Sequence, residues 1–595
     1  MKKTLDGNAL YQAVISGASE VRKAKNFLNQ INIFPVADGD TGNNLDSMMQ
    51  YIIDEATVMD TPKETMESIA DAALMGAKGN SGIIFAEYIY GMSLEILAEP
   101  KLPISNLLTT MEKAVPYAYN AINNPVNGTI LTVMSDWAHN LKSNMDKSKW
   151  DKLLDSAFVS VEKALSETTQ INPFLKKSNV VDSGAKGFVC FLNGFITYLK
   201  TGKPVELLDA NNQVVRLDHE DKPFSSVQPI EYRYCTEALI NSDVKESEAI
   251  KEQLNSFGDS LIVAGNDRKT RLHIHTNEPM SVTEILHGYG NIMQQKIDDM
   301  IKEYQVIHER KYPIALLVDS VADIPEEIID DYQIQVIPLQ ILIDDSIFLD
   351  GLSIDANRYY QISENLDKPA SSSLQSAKHI EKSLDFLKNH YDSIIVMSVS
   401  SGISGTYTAF SKAIQSLSKD GYPVSLIDTK LNSGAQGLVT YYAAKLIAAG
   451  NSHKDIVKAV ESACQRSFIY VSLASLKPII RSGRVNKKLG AFLELINIKP
   501  IVSLDKAGKG SLEDKSFSIN GSEKKMLRKL ALAHEKQGIM SYNVVHGRSG
   551  EDRVERIVEQ CIKITGFEPE YVTEVSTSVA VNAGENTIAV SFMTN

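Results

Sequence analysis

The chain has 595 residues, of which 43% are hydrophobic and 23% charged, and it carries a formal net charge of −13. That length calls for several domains, since single cores stop growing near roughly 250–300 residues. The acidic balance, with no Lys/Arg-rich run, argues against nucleic acid as a partner, because binding a phosphate backbone depends on such runs.

Four cysteines, Cys190, Cys235, Cys464 and Cys561, form no CxxC pair. A disulfide framework is therefore not expected, and a reducing, cytoplasmic setting fits. The N-terminal lysines precede no long apolar run, so they do not read as a signal peptide. No stretch approaches the roughly 18–20 apolar residues that span a bilayer, so any membrane contact is expected to be peripheral.

Residues 1 to about 200 read as helical. Apolar positions recur at three and four in Leu10, Val14, Ala18, Val21 and Leu28, and again from Thr65 to Met75. Pro62, Pro103, Pro116 and Pro125 fall at predicted helix starts or loops. Thr201 to Pro229 is polar and reads as a linker. Short strands are predicted at Tyr232–Ile240, Ser260–Ala264 and Arg271–His275, with a helix from Lys245 to Phe257; together they make a small α/β module ending near Arg310. From Tyr312 onward, apolar runs at Ile314–Val318, Ser393–Met397 and Val424–Ile427 alternate with helices such as Leu438–Ala449. That alternation predicts a parallel-sheet α/β domain with its ligand site at the strand ends. Asn543–Phe592 repeats a strand–helix–strand pattern and reads as a second lobe.

The most informative segment runs from Asn32 to Asn44: Asn-Ile-Phe-Pro-Val-Ala-Asp-Gly-Asp-Thr-Gly-Asn-Asn. Asp38 and Asp40 stand two apart in a glycine-containing loop, and paired carboxylates suit Mg²⁺, which takes its other ligands from water and substrate phosphates. Gly39 and Gly42 permit close backbone approach. Taken alone, Asp-Gly-Asp is also a routine turn that binds nothing. Gly76-Ala-Lys-Gly-Asn-Ser-Gly82, with Gly79, Asn80 and Ser81, could cradle phosphates at a helix start. Gly128-Thr129 and Asp182-Ser-Gly184 offer two further loops, each of which alone is an ordinary helix cap.

In this order the segments resemble the nucleotide domain of the dihydroxyacetone kinase L-subunit family, and within it the fatty acid kinase branch. The resemblance covers about the first 200 residues and implies an all-helical barrel holding Mg-ATP at its mouth. It implies that Asp38 and Asp40 bind magnesium, with Thr41 beside them at the catalytic loop. It also implies that Asn44, Gly79, Asn80, Ser81, Gly82, Gly128 and Thr129 contact phosphates, and that Asp182 and Gly184 line the nucleotide site. Asn32 is the nearest equivalent of a third aspartate used by dihydroxyacetone kinases. Thr41 stands where those kinases carry His, which disfavours a small hydroxylated substrate, and Lys78 replaces the branch's Arg.

His273 and His275 alternate on one face of a predicted strand, and Cys235 lies on another. Cys plus two His is a valid tetrahedral zinc set with one position open; two satisfied strand histidines and a buried thiol would look the same in sequence. Tyr-Cys-Thr-Glu followed by His-Ile-His-Thr-Asn resembles the middle domain of fatty acid kinases, which implies that Cys235, His273 and His275 gather at a zinc ion; a structural or dimer-supporting role is expected for it, because nothing in the sequence places this module at the ATP.

In the C-terminal part, Val318-Asp-Ser-Val-Ala-Asp-Ile-Pro325, Asp350-Gly351, Pro369-Ala-Ser-Ser372, Ser400-Ser-Gly-Ile-Ser-Gly-Thr-Tyr407 and Arg481-Ser-Gly-Arg484 resemble the DegV family of fatty-acid-binding proteins, from Pro313 to the end. The resemblance implies a two-lobed α/β fold that buries an acyl chain. It implies that the carboxylate rests on Ser371 or Ser372 and on Ser404, Gly405 and Thr406, with Arg484 nearby. Asn582 stands where the family shows His.

The expected architecture is therefore multidomain: a helical-barrel kinase domain at 1–204, a small α/β middle domain at 226–310 and a two-lobed α/β domain at 313–595. The expected activity is phosphorylation of a carried fatty acid to acyl phosphate for phospholipid synthesis. The cofactors expected are ATP, Mg²⁺ and Zn²⁺. The partners expected are a fatty acid, a second copy of the chain in a homodimer, and transient contact with a membrane or an acyltransferase. A dihydroxyacetone-type kinase and a non-catalytic lipid-binding protein are the alternatives.

Overall fold

A computed structural model describes residues 4–34, 39–144, 149–204, 230–242, 246–266, 268–366, 368–419, 421–481 and 498–595. Asp38, Arg484 and most of the linker Thr201–Pro229 lie outside those residues. The chain forms two compact units, Met1–Ile301 and Lys302–Asn595.

Among the described residues, the first unit opens with eleven helices: Gly7–Lys23 (α1), Lys25–Gln30 (α2), Thr41–Glu55 (α3), Pro62–Gly76 (α4), Gly79–Glu95 (α5), Ile104–Lys113 (α6), Val115–Asn120 (α7), Ile130–Asn144 (α8), Trp150–Ile171 (α9), Pro173–Ser178 (α10) and Ser183–Thr201 (α11). Their starts are written locally. Asp6 caps α1 by accepting from the Ala9 N–H at 2.8 Å, and Thr61 with Glu64 forms a reciprocal capping box around Pro62 on α4. Leu10, Val14, Ala18, Val21 and Leu28 are all buried in one core, as their spacing predicts. The ring of Phe85 on α5 stands edge-on to Phe188 and Phe191 of α11, with centroids 5.4 and 5.1 Å away. The helical reading misses a two-residue ladder, Thr4–Leu5 (β1) against Leu102–Pro103 (β2), too short to register as periodicity.

The rest of this unit is a four-stranded antiparallel sheet of Tyr234–Asn241 (β3), Gly258–Gly265 (β4), Thr270–Thr276 (β5) and Asn291–Asp299 (β6), in the order β4-β5-β3-β6. Helices Ser247–Leu254 (α12) and Pro279–Tyr289 (α13) accompany it. The sequence predicts three of these strands and not β6, whose polar run Asn291–Asp299 carries few apolar residues. Leu239, Ile262 and Ala264 of the sheet belong to the same apolar core as the helices. The peptide N–H of Val263 also donates to the Ala121 carbonyl at 3.2 Å. Sheet and helices are thus one folded body.

In the second unit, Ile314–Asp319 (β7), Gln335–Ile337 (β8), Ser393–Ser398 (β12) and Val424–Asp428 (β13) form a parallel sheet in the order β13-β12-β7-β8. Three of its strands, β7, β12 and β13, are the apolar runs predicted. Beside it, Gln340–Ile343 (β9), Ser346–Leu349 (β10) and Ser371–Ser373 (β11) make a small antiparallel sheet. The second lobe departs from the expected parallel arrangement. Ser467–Ser472 (β14), Lys499–Leu504 (β15), Gly510–Ser516 (β16), Ile539–Gly547 (β17), Val572–Glu574 (β18) and Thr587–Thr594 (β19) are ordered β16-β15-β14-β19-β17-β18, and only β17–β18 pair in parallel. Strand and helix alternation cannot distinguish the two, because β14 and β19 meet across more than a hundred residues.

Candidate functional site

Several helix starts of the first unit converge, and small residues make the convergence possible. A Cβ on Gly42 would fall 2.1 Å from the Lys25 carbonyl oxygen, so only glycine lets the first turn of α3 lie on α2. Asn43 completes that contact by donating its N–H to Asn29 Oδ1 at 3.1 Å. Gly79 opens α5 at φ +59°, and a Cβ there would fall 2.5 Å from Asn44 Nδ2. A Cβ on Gly184 would fall 2.3 Å from Ser81 Oγ. The Asn44 amide, Gly79, Ser81 and Gly184 therefore crowd into one place.

Asp182 joins a fourth helix start to this cluster. It caps α11 through the Ala185 N–H at 2.7 Å and also accepts from the N–H of Ile130, which begins α8. Burial pushes its carboxyl up to about 6, against the pull of those two donors. Gly128, at φ +79°, and Thr129 form the turn before Ile130; Thr129 Oγ1 donates to the Val126 carbonyl at 2.8 Å. Thr41 is the buried first residue of α3, and Asp40 precedes it without capping the helix through its side chain. Asn80 Oδ1 is buried with no hydrogen-bond partner among the described residues, an acceptor left open at the start of α5. Asn32 is buried in the turn after α2, its N–H donating to the Asn29 carbonyl at 3.2 Å.

The middle sheet presents one face to this cluster, which the sequence motifs do not foretell. Strand register sets three rows across that face: Asp259, His275, Cys235 and Asp298; Ile262, His273, Glu237 and Lys296; Ala264, Arg271, Leu239 and Gln294. Glu237 Oε1 accepts the Gly79 N–H at 2.6 Å. Lys296 pairs closely with Asp298 and lies 4.0 Å from Asp40. Glu87 of α5 accepts the Gly265 N–H at 2.7 Å. The module, which nothing in the sequence places at the motif loops, is packed directly on them. The signal available in sequence was the run of alternating polar positions Cys235-Glu237 and Arg271-His273-His275, on a face that would otherwise be solvated.

The ligand atoms of Cys235, His273 and His275 lie within 4.8 Å of one another. Cys235 Sγ is 3.8 Å from His273 Nδ1, and the two imidazoles sit edge to face at 5.0 Å. Asp259 holds His275 Nδ1 at 3.2 Å, the carboxylate–histidine pairing that orients a metal ligand. His273 Nε2 is buried without a partner among the described residues. Burial, and then the Glu237 charge, push the Cys235 thiol well up, so a cation binding here must displace a proton. The donor set fits a zinc ion. Burial alone would raise the Glu237 carboxyl, but the His273 ring, Lys296 and Arg271 hold it far below the usual carboxylate range.

In the second unit, Ser372 of β11 pairs with Ile341 of β9, and Ser371 is exposed beside it. Ser404 Oγ bonds Thr406 Oγ1 at 2.9 Å and accepts the Thr406 N–H at 3.3 Å, shaping the turn into helix Thr406–Lys419. A Cβ on Gly405 would meet open space. Leu374 and Ile403, next to these two serine loops, pack on one apolar cluster of Val321, Leu339 and Val399, which brings the loops to a common patch. Two buried acids tie the lobes of this unit: Asp323 accepts the Ser576 N–H and Asp350 the Thr577 N–H, each at 2.7 Å. A third, Asp319, accepts the Val399 N–H at 2.7 Å within the first lobe. Asn582 donates to the Ser578 carbonyl of its own helix at 2.8 Å.

Three family models match consecutive parts of the chain: the DAK2 domain over residues 35–197, the FakA-like middle domain of fatty acid kinase over 231–307, and the DegV family of uncharacterised proteins over 313–595. Among curated proteins, the chain is 31% identical over 316 residues to Protein YloV of Bacillus subtilis, covering 51% of this chain and 57% of that one. It is 30% identical over 326 residues to an uncharacterized protein of Staphylococcus haemolyticus, covering 52% and 58%. The chain thus spans a little over half the length of these relatives. Among solved structures, it is similar to DegV, a fatty acid binding protein from Bacillus subtilis, at 24% identity and a TM-score of 0.43, covering 48% of this chain and 100% of that one. Among the described residues, no helix is long and apolar enough to cross a membrane. The chain therefore carries, in this order, a DAK2 domain, a FakA-like middle domain and a DegV-family domain.

Proposed function

We propose that this chain is an ATP-dependent fatty acid kinase that carries its own fatty-acid-binding domain and makes acyl phosphate for phospholipid synthesis. The observation that carries the reading is the convergence of Asn44, Gly79, Ser81, Asp182 and Gly184 at the starts of α3, α5 and α11, in a chain that also holds a DegV-family domain. Helix starts present unpaired N–H groups and positive dipole ends, which suit the phosphates of a nucleotide.

The reaction forms a bond between a carboxylate oxygen of the fatty acid and the γ-phosphorus of ATP, breaks the bond from that phosphorus to the bridging oxygen, and releases ADP. The carboxylate is already a competent nucleophile and needs no strong general base. Bound magnesium would neutralise phosphate charge, and Asp38 and Asp40 are the residues that would hold it. Asn44, Gly79–Gly82, Gly128 and Thr129 would position the phosphates. Ser371 or Ser372, Ser404, Thr406 and Arg484 would hold the acyl carboxylate. Joining kinase (1–204), middle (226–310) and carrier (313–595) segments in one chain makes their encounter intramolecular and raises the effective concentration. We assign the protein to the cytoplasm as a homodimer that hands its product to an acyltransferase by transient contact, at a membrane or in solution.

Purified protein incubated with Mg-ATP and a panel of fatty acids should yield acyl hydroxamate on trapping with hydroxylamine. ADP release without hydroxamate for any fatty acid would sink the reading. The protein should also carry a fatty acid through purification, since sixteen or so carbons buried at roughly 0.8 kcal/mol per CH₂ provide ample affinity. Mass spectrometry should find that lipid in the parent and lose most of it in Ser404→Ala.

Cys235, His273 and His275 should hold one zinc per chain. Elemental analysis after purification without added metal decides this, and His273→Ala should lose the ion. A chain free of zinc, or zinc retained by His273→Ala, returns the three residues to ordinary strand packing.

A further inference from the structure

The start of α5 already holds an anion, and it comes from the middle sheet. Glu237 is 1% exposed and reaches across to the Gly79 N–H with Oε1 at 2.6 Å. Its other oxygen, Oε2, is buried and makes no hydrogen bond among the described residues. A second seat lies close by. The Arg271 guanidinium is 3.7 Å from Oε2, and Arg271 Nε is a buried donor without a partner among the described residues. Its Nη1 is engaged with Gln294 Oε1 at 3.2 Å. A shift of the carboxylate by about one ångström would trade the Gly79 contact for a two-pronged contact with Arg271, the geometry that guanidinium and carboxylate favour. Oε1 also lies 3.5 Å from His273 Nδ1, a ring within reach of either position, so the side chain has two seats, one on the helix start and one on the neighbouring arginine.

Resting on the reading of this cluster as a nucleotide site, we propose that Glu237 is a positioning residue that occupies a phosphate's seat at the start of α5 and yields it to the nucleotide by moving onto Arg271. Gly79 N–H is the first donor of a 17-residue helix. An incoming phosphate competes with Glu237 for that donor and is repelled by its charge until the carboxylate swings away. Lys296, in the same row of the sheet as Glu237 and 4.0 Å from Asp40, is a second cation facing the vacated space. The device keeps the helix start satisfied when no nucleotide is bound, and it makes the middle sheet part of the nucleotide site.

The test is the affinity of the full chain for a non-hydrolysable ATP analogue with Mg²⁺, measured by calorimetry for the parent, Glu237→Gln and Glu237→Asp. The amide removes the charge. The aspartate keeps a charge opposite Arg271 but withdraws it from Gly79 by one methylene, so it reads the same competition where the amide variant fails to fold. Both variants should bind the analogue about tenfold tighter, a factor equivalent to 1.4 kcal/mol. Equal or weaker binding by a folded variant, with the parent binding normally, overturns the proposal and makes Glu237 an anchor of α5. Binding by the variants alone supports it, and binding by neither parent nor variants overturns the nucleotide reading together with it.

Discussion

Asp40→Ala should lower acyl phosphate formation on the order of 10³-fold, the scale expected when an electrostatic partner of the transferring phosphoryl group is lost. Fatty acid content and helicity should stay at the parent's level. Asp40 stands at the start of α3 but does not cap it, so the substitution forfeits no capping bond. What it removes is a carboxylate 4.0 Å from Lys296 and next to the crowded Asn44–Gly79–Ser81 cluster. Hydroxamate assay and lipid mass spectrometry on the same preparation separate the two outcomes. Asp38→Ala is the companion variant. Near-normal turnover in both would end the magnesium assignment, whereas loss of lipid together with turnover would point to unfolding.

The stability of the first unit should fall as pH rises from 6 to 8, and Glu87→Gln should remove most of the fall. Burial pushes the Glu87 carboxyl from 4.5 up to about 8, partly offset by the Gly265 N–H and the Lys251 charge. Between those two values the native state binds a proton that the unfolded chain has released. Stability is then greatest at low pH, declines by about 1.4 kcal/mol per pH unit through that window, and levels off above pH 8. Glu87→Gln keeps an acceptor for Gly265 without a proton to lose, so its stability relative to the parent should grow by about 2 kcal/mol from pH 6 to pH 8. Asp182, raised to about 6, adds a smaller decline of the same sign in both proteins. Both tryptophans, Trp137 and Trp150, lie in this unit, so urea titrations followed by tryptophan fluorescence report on it alone. Parallel pH profiles for parent and variant would mean that Glu87 stays ionised in the native state, held by more than the Gly265 N–H and the Lys251 charge.

Capping and periodicity made the helical half legible. Pro62 at a helix start, Asp182 before Ser183, and the three-and-four spacing around Val14 each act within a turn or two of chain, where sequence and conformation are tied directly. The buried runs of β7, β12 and β13 are legible for a similar reason: a strand covered on both faces is apolar at nearly every position. β6 escaped because its pattern is interrupted by Gln294, Lys296 and Asp298, which serve the site and not the core. The antiparallel order of the second lobe escaped because pairing direction is set by how distant segments meet.

Residue types by themselves offered candidate chemistries beside ordinary structural readings: carboxylates and glycine-rich helix starts for a nucleotide or for turns and caps, Cys with two His for zinc or for strand packing, and serine loops after buried strands for a carboxylate or for capped turns. They also placed each group on its helix start, strand or loop, since capping, alternation and glycine's freedom at positive φ are local effects. Only the tertiary structure decided which of these groups share a site. Glu237 and the Gly79 N–H are 158 residues apart, and nothing within either segment encodes the other. They meet because Leu239, Ile262 and Ala264 bury themselves in the core of the helices, and that apolar contact carries the charged rows of the sheet onto the motif loops.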